Sequence, residues 1–404
     1  LLWLGQIASQ CGDSIYRIGL LWLALELSGS EAVTGLVALA SYLPSVLLAL
    51  AAGVAADRSD RRWLMLGMDL ARGLLVLALP LAAVTGALTT TFLGWNAFLI
   101  AIAATFFNPA RDAFIPQLVP PEGLLRANSL IQTSWQFSLL LGPVIAGGLL
   151  HYAGQVHLFT ANSLFYFASF LLILLIRPGR DVAGYGASPI IRETTGQDDG
   201  ARPKAIAGII EGLRYIVREP VIGPLLLITI ADNIFIMGPA IVGTPVLVRN
   251  DLGLGAEAYA LINGCYAVGM LLGTAGLLTW GGRFGAGKVL LVGMVLDGIT
   301  FVPLYWTNTL LTTGVVIVIH SLAIPMLTVT RASLIQRMVP PEMTGRVFAA
   351  VNLAVVGMSA ISSGLAGLAL EAIGAPALFF GIGIAGGLCG VAGWIWAVKL
   401  RDCR

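Results

Sequence analysis

The sequence predicts an all-α integral membrane protein with twelve transmembrane helices in two parallel six-helix pseudo-repeats. Three observations predict it. Apolar residues make up 57% of 404 positions and charged ones only 11%, against about 25% charged in soluble domains. Such a chain cannot cover itself with a polar surface, so lipid must be its main solvent. Stretches of ~20 or more mostly apolar residues, long enough to cross a bilayer, recur along the whole chain. The chain also repeats itself. Arg111-Asp-Ala-Phe-Ile-Pro-Gln-Leu-Val-Pro-Pro-Glu122 returns as Arg331-Ala-Ser-Leu-Ile-Gln-Arg-Met-Val-Pro-Pro-Glu342, and Gly12-Asp-Ser-Ile-Tyr16 returns as Ala231-Asp-Asn-Ile-Phe235, at registers of 220 and 219. Two distant matches in nearly one register indicate an internal duplication.

Spans are expected at 1–27, 32–56, 63–87, 91–112, 123–152 and 156–177 in the first copy. The second copy offers 220–249, 256–281, 286–306, 309–331, 342–371 and 376–399. The domains are then an N-terminal bundle over 1–177, a linker over 178–219 and a C-terminal bundle over 220–404. The linker starts polar and glycine-rich. From Pro203 it turns helical, with Ile206, Ile209, Ile210, Leu213, Ile216 and Val217 on one face and Lys204, Glu211, Arg214 and Arg218 opposite. That pattern predicts an amphipathic helix on the membrane surface, acting as a strut between the bundles.

Of 23 Lys and Arg residues, only Arg17, Arg72 and Arg249 fall outside the loops of one side. The other side offers mainly Glu26, Glu31, Asp251, Glu257 and Glu371. The positive-inside rule makes the basic side cytoplasmic, with both termini there. The basic loops are short and carry no interleaved aromatic platforms, which excludes a nucleic-acid partner. Cys11, Cys265 and Cys389 lie in spans and Cys403 on the basic side, so no disulfide is expected. The chain opens on Leu1-Leu-Trp without Met, so a short trimmed N-terminus is expected, and the first segment reads as a span, not a cleaved signal peptide.

Charges within the spans are costly in lipid and mark function. Asp13 sits near the middle of the first span, with Arg17 one turn later on the same face. Asp232 is its counterpart in the seventh span, with Ile236 in place of the Arg. Burial favours the neutral form of a carboxyl and an Arg partner favours the charged one. Asp232 is therefore the better proton carrier if an Asp13–Arg17 pair is intact, and Asp13 the better one if Arg17 swings away. Asp13, Asp232 and Arg17 are the candidate proton-coupling residues. Asp69 and Arg72 form an i,i+3 pair in the third span with a structural or latch-supporting role. Asp297 and His320 rank below Asp13 and Asp232.

The two Val-Pro-Pro-Glu loops read as helix starts, since Pro suits a first helical position. Glu122 with Arg126 and Glu342 with Arg346 are spaced as i,i+4 pairs in those first turns. With Arg111, Asp112 and Arg331 just upstream they are candidate gate residues. The cavity should be lined by Gln10, Tyr16, Asn108, Gln132, Trp135, Gln136, Asn233, Phe235, Asn263, Tyr266 and Asn352. Few charges and several aromatics suit a bulky, largely apolar ligand.

The loop Gly53-Val-Ala-Ala-Asp57-Arg58-Ser-Asp60-Arg61-Arg62 resembles the signature Gly-x-x-x-Asp-Arg-x-Gly-Arg-Arg of the major facilitator superfamily, departing from it at Asp60. The resemblance implies that Asp57 docks on the start of the eleventh helix near Thr344 to Arg346, with Arg58, Arg61 and Arg62 adding latch or lipid contacts. In the fifth span, Ser138-Leu-Leu-Leu-Gly142-Pro143-Val-Ile-Ala146-Gly147-Gly148 resembles an element of the superfamily's exporters. Gly142 and Gly147 allow close packing and Pro143 a kink. Ser9-Gln-Cys-Gly-Asp13, Leu27-Ser-Gly-Ser30 and Val119-Pro-Pro-Glu122 resemble the branch of macrolide-efflux and enterobactin-exporter proteins.

The resemblance implies the major facilitator fold and a multi-pass, monomeric secondary transporter of the bacterial cytoplasmic (inner) membrane. It would export amphipathic small molecules of the drug, macrolide or siderophore class by alternating access, as a proton antiporter. Substrate, protons and membrane lipids would be its partners. A lysophospholipid flippase of the same superfamily and a non-transporting membrane sensor are the alternatives, with an importer less favoured. An enzyme is not expected, because the only histidines are His151, His157 and His320 and no catalytic constellation, metal site or cofactor motif is present. No Walker loop supports an ATP-driven pump.

Overall fold

The computed structural model describes residues 1–176 and 201–403. The polar, glycine-rich first part of the linker, residues 178–200, lies outside the described residues, as do the side chains of 201–209. All regular elements among the described residues are helices. The first copy supplies α1 (Leu2–Ser28), α2 (Glu31–Arg58), α3 (Arg61–Val84), α4 (Thr90–Phe114), α5 (Leu124–Tyr152) and α6 (Val156–Leu174). After the linker helix α7 (Ala201–Arg218) come α8 (Ile222–Asp251) and α9 (Ala256–Trp280). Then follow α10 (Ala286–Ile299), α11 (Leu310–Ser321), α12 (Ile324–Met338), α13 (Pro341–Ile373), α14 (Ala375–Trp396) and the short α15 (Val398–Arg401).

Among the described residues, eleven helical stretches are long and apolar enough to cross a bilayer, with α11 and α12 counted as one stretch from Leu310 to Met338. The remaining expected span is α1, 27 residues long, whose Gln6, Gln10, Asp13 and Arg17 make it the more polar helix. The tenth span runs on to Met338 instead of ending near 331. Its last turns are held in the core by Leu334 and Ile335. Arg331 consequently sits inside a span and not in a loop.

The two Val-Pro-Pro-Glu loops differ in detail. In the second, α13 begins at Pro341 as expected. In the first, Pro121–Gly123 forms a 3-10 turn and α5 starts only at Leu124. Glycine is a poor helix former, and Gly123 stands where the second copy has Met343.

By compactness the chain forms two units, Leu1–Leu20 with Leu43–Ile206, and Leu21–Tyr42 with Ala207–Arg404. The core of the first gathers Met65, Leu66, Phe107, Phe114 and Ile173. The core of the second gathers Leu225, Leu291, Leu334, Val347 and Leu400, and also Ile216 from α7. The apolar face of α7 is thus divided. Ile216 is buried, while Ile210, Leu213 and Val217 are exposed. Gly212 lets this helix approach α13, since a Cβ there would lie 2.9 Å from the Arg346 carbonyl oxygen. The helix is therefore docked on α13 along one part of its apolar face and leaves the rest of that face exposed.

Candidate functional site

Each unit holds a buried polar cluster around one of the duplicated acids. In the first unit, Arg72 of α3 is buried between Asp69, one turn earlier, and Asp13 of α1. It pairs closely with Asp69 and lies 3.9 Å from the Asp13 carboxylate. Ser169 of α6 donates to Asp69 at 2.6 Å and the Tyr166 hydroxyl donates to Asp13. The Arg72 guanidinium also stacks over Phe107 and Tyr166, at 4.3 and 4.6 Å from the ring centroids. Such contacts compensate a cation deprived of water. Asp69 is fully enclosed, whereas the Asp13 side chain is 41% exposed. Asp13 is therefore the member of this cluster that can exchange with its surroundings.

This geometry corrects one expectation. Arg17 is exposed, and the cation beside Asp13 is Arg72, contributed by another helix. Asp69 and Arg72 form the i,i+3 pair expected within the third span, and Arg72 also faces Asp13. Tyr166, Ser169 and Phe107 were not anticipated. A signal for the first two was present, because Asn162, Ser163, Tyr166 and Ser169 form a polar stripe at helical spacing in an otherwise apolar span.

In the second unit, α8 leaves regular α-helical geometry immediately after Asp232, with π-helical turns at Asn233–Met237 and Pro239–Gly243. The loosened backbone is supported by α13. Ser362 donates to the Ile234 carbonyl at 2.6 Å and accepts from the Gly238 amide at 3.0 Å. Ser359 donates to the Asn233 side chain at 3.1 Å, and Asn233 donates to the Thr229 carbonyl at 2.8 Å. π turns inside helices often mark functional positions.

One oxygen of Asp232 is buried without a hydrogen-bond donor. The carboxyl of Asp297 from α10 lies within hydrogen-bonding reach of Asp232, and Arg331 of α12 is its neighbouring cation. His320 of α11 completes the cluster, with Nε2 3.8 Å from Asp297 Oδ1. Its Nδ1 lies 3.1 Å from the Asp297 carbonyl and 3.1 Å from the Thr300 hydroxyl. A carbonyl only accepts, so the neutral ring carries its hydrogen on Nδ1 and turns the Nε2 lone pair toward the Asp297 carboxyl. Phe301 lies against one face of this imidazole and Tyr266 meets it edge-on. Asp297 and His320, ranked below Asp232 from sequence, thus belong to the same site. Arg331 belongs there too and not to a loop gate.

The loop residues arrange themselves locally. Asp60, the departure from the signature, caps α3 by accepting from the amides of Arg62 and Trp63 at 2.9 and 3.1 Å. Arg62 donates to the final carbonyls of α6 at Ile173 and Leu174, where a cation complements the helix dipole. Asp57 and Arg58 are exposed and Arg61 half-buried. Arg111 binds Asp112 at 2.8 Å and Gln6 at 3.2 Å. Arg346 pairs at 2.7 Å with Glu211 of α7 instead of with Glu342. Glu122, Arg126 and Glu342 are exposed.

Of the expected cavity residues, Asn108, Gln132, Trp135, Gln136 and Asn352 are exposed, while Gln10, Phe235, Asn263 and Tyr266 are half-buried. Tyr16 and Asn233 belong to packing. Tyr16 is buried with its hydroxyl on Asn96 at 3.2 Å, and Asn233 is bound to Ser359. Gly142 and Pro143 are buried and Gly147 half-buried. A Cβ on Gly142 would lie 2.3 Å from the Ser14 hydroxyl, so α5 and α1 meet there. The α5 helix runs unbroken past Pro143.

At the acidic side, within the second unit, residues 21–42 of α1 and α2 pack on α8, α9 and α13. Trp22 stacks on Tyr259 at 6.0 Å, and Arg249 donates to the Leu25 carbonyl. Asn250 donates to Glu31 at 2.7 Å and Ser30 to Glu371 at 3.4 Å. Gly35 and Gly367 form the crossing, where a Cβ on Gly35 would lie 2.7 Å from the Ser363 oxygen and 2.8 Å from Gly367 Cα. At this crossing α2 and α13 pack backbone against backbone.

An all-helical, lipid-solvated bundle with a buried charge cluster in each unit is the build of a polytopic membrane transporter. Residues 1–402 match the family described as Transmembrane secretion effector, and the chain belongs to that family of major facilitator superfamily transporters. It is similar to "Multidrug efflux pump Tap" of Mycolicibacterium fortuitum, 27% identical over 228 residues, which are 55% of this chain and 53% of Tap. It is also similar to "Macrolide efflux protein A" of Streptococcus pyogenes, 29% identical over 145 residues, 36% of each chain. The matched part is thus about half of Tap and about a third of the macrolide protein. Among solved structures, the D323A mutant of nucleoside transporter NupG superposes with a TM-score of 0.75 at 10% identity, covering 98% of this chain and 99% of that one. That likeness confirms the fold.

Proposed function

We propose that the protein exports amphipathic small molecules from the cytoplasm by alternating access, driven by proton antiport. Its place would be a bacterial cytoplasmic membrane, with the basic side inward. The kinship with proteins named as multidrug and macrolide efflux pumps supports the direction and the substrate class. The observation that carries proton coupling is the Asp232 site. A buried carboxyl oxygen without a donor, facing a second carboxyl, is a place where one proton is held between two acids.

In this reading Asp232 and Asp297 carry the exchanged proton, and the Nε2 lone pair of His320 offers the next acceptor. Arg331 neutralises the site when the proton leaves. Asp13 is already engaged by Arg72 and Tyr166, so its part is to couple movement of α1 to α3 and α6. Protonation of Asp13 would weaken its hold on Arg72, leaving that cation to Asp69 alone. The Gly35–Gly367 crossing acts as the outer gate, and the Glu211–Arg346 pair ties α7 to the start of α13 on the other side. Helix packing without bulky side chains at the crossing lets such a contact form and release without repacking a core.

The test is transport in proteoliposomes, with erythromycin and ethidium as probes and an imposed pH gradient. Accumulation should follow the gradient and collapse when an ionophore dissipates it. Equal fluxes with and without a gradient would sink the antiport reading. Movement of a labelled lysophospholipid between leaflets, without movement of either probe, would instead establish the flippase alternative.

A further inference from the structure

A separate cavity of about 800 Å³ opens at the basic end of the second unit, where α9, α10 and α12 meet the chain around α15. Four cations line it: Arg283, Lys288, Arg337 and Arg401. The acid among its lining residues is Asp402, which already binds Arg401 at 3.1 Å. With Asp402 engaged by Arg401, Arg283 and Lys288 give the cavity an excess of positive charge. The helix α10 starts in its wall, and the N-cap Gly285 supplies no side-chain cap. Uncapped amides at a helix start favour an anion. The chain beside α15 is fixed in place, because Gly287 donates to the Cys403 carbonyl at 3.2 Å and a Cβ on Gly287 would overlap the Leu400 oxygen. Arg401 is held at the cavity, donating also to the Trp394 carbonyl at 3.3 Å.

The rest of the lining is apolar. Leu277, Phe284 and Val329 share the cavity with the cations, and Phe284 is 63% exposed. Trp280, also exposed, stands beside it at the end of α9. Aromatic residues at such a level suit the membrane–water interface. A small soluble anion needs the cations but gains nothing from an exposed phenyl ring. A phosphate joined to a glycerol and acyl chains uses both.

We propose that this cavity is a binding site for the phosphate-bearing headgroup of an anionic phospholipid, entering from the leaflet on the basic side. Basic pockets between helices on that side are suited to acidic headgroups, and each cation near a lipid surface adds roughly a fivefold gain in affinity. Its lining shares no residue with the Asp232 cluster, and the proposal does not depend on the exported substrate.

Native mass spectrometry and thermal unfolding of the full chain in a neutral detergent test the proposal, with phosphatidylglycerol, phosphatidylcholine and inorganic phosphate as probes. Phosphatidylglycerol should be retained on the order of tenfold better than phosphatidylcholine and should raise the melting temperature. The double variant Arg283→Gln/Lys288→Gln should lose roughly 25-fold in phosphatidylglycerol retention, and the milder Lys288→Gln roughly fivefold. Arg214→Gln/Arg218→Gln on α7 should keep the preference. An equal loss in that α7 variant would mean diffuse basic-side attraction and overturn the site. Stabilisation by inorganic phosphate matching that by phosphatidylglycerol would assign the cavity to a soluble anion and overturn the lipid reading.

Discussion

The two units began as copies, yet their acids are housed in opposite ways. Asp13 is met by a cation, a phenol and two aromatic faces, and its side chain is 41% exposed. Asp232 has a buried oxygen with no donor, faces another carboxyl, and begins a stretch of π-helical backbone. The first arrangement sets an acid against a cation shared with Asp69. The second sets two carboxyls against each other, with Arg331 as the nearby cation. Duplication preserved the position of the acid while its neighbours diverged.

Breaking the paired cluster should have the largest effect. Arg72→Met removes the cation between two carboxylates, and losing one partner of a buried ion pair costs about 3–5 kcal/mol. The melting temperature of the detergent-solubilised protein should fall sharply, and Asp69→Asn added to Arg72→Met should recover part of the loss. At the acidic-side seal, Gly35→Leu places a side chain where a Cβ already lies 2.7 Å from the Ser363 oxygen. The crossing must separate, so a cysteine at Tyr259, now stacked under Trp22, should be labelled several-fold faster by a membrane-impermeant thiol reagent. An unchanged labelling rate would show that Gly35 does not hold the seal.

Neutralising the acids sharpens the contrast through the size of the effect. Asp232→Asn relieves a carboxyl that faces a second acid and has an oxygen without a donor, at the cost of a counter-charge for Arg331, so stability should change by no more than about 1 kcal/mol in either direction. Asp13→Asn removes one of the two carboxylates beside Arg72, together with the acceptor of the Tyr166 hydroxyl, and should lower stability. Chemical denaturation of both variants checks it, and a loss of equal size in both would erase the distinction. The smallest effect concerns the loop. Asp60→Ala removes an N-cap and should cost about 1 kcal/mol, visible as a modest drop in melting temperature with the transport direction unchanged.

Much of the fold was legible in the sequence because lipid imposes a simple rule, with long apolar runs punctuated by charged loops. The repeat then pointed to Asp13 and Asp232 without any structure. Their partners were harder to see. Local spacing favoured Arg17, which is one turn from Asp13, whereas Arg72 reaches it from another helix. Arg331 looked like loop charge because the tenth span was read as ending there, yet its buried Leu334 and Ile335 carry the helix onward. Asp297 and His320 were undervalued for the same reason, since membership of a cluster is set by how helices pack and not by position along the chain. Asp60 stood out only as a departure from the signature, although Asp is among the strongest N-cap residues.

The most direct test of the different roles is gradient-driven ethidium transport by wild type, Asp13→Asn and Asp232→Asn in matched proteoliposomes. Asp232→Asn should retain ethidium binding but lose its response to the pH gradient by tenfold or more, on the order of 1.4 kcal/mol of coupling. Asp13→Asn should lower the rate yet keep accumulation dependent on the gradient. Gradient-driven accumulation by Asp232→Asn, alongside its loss in Asp13→Asn, would reverse the assignment and contradict the account.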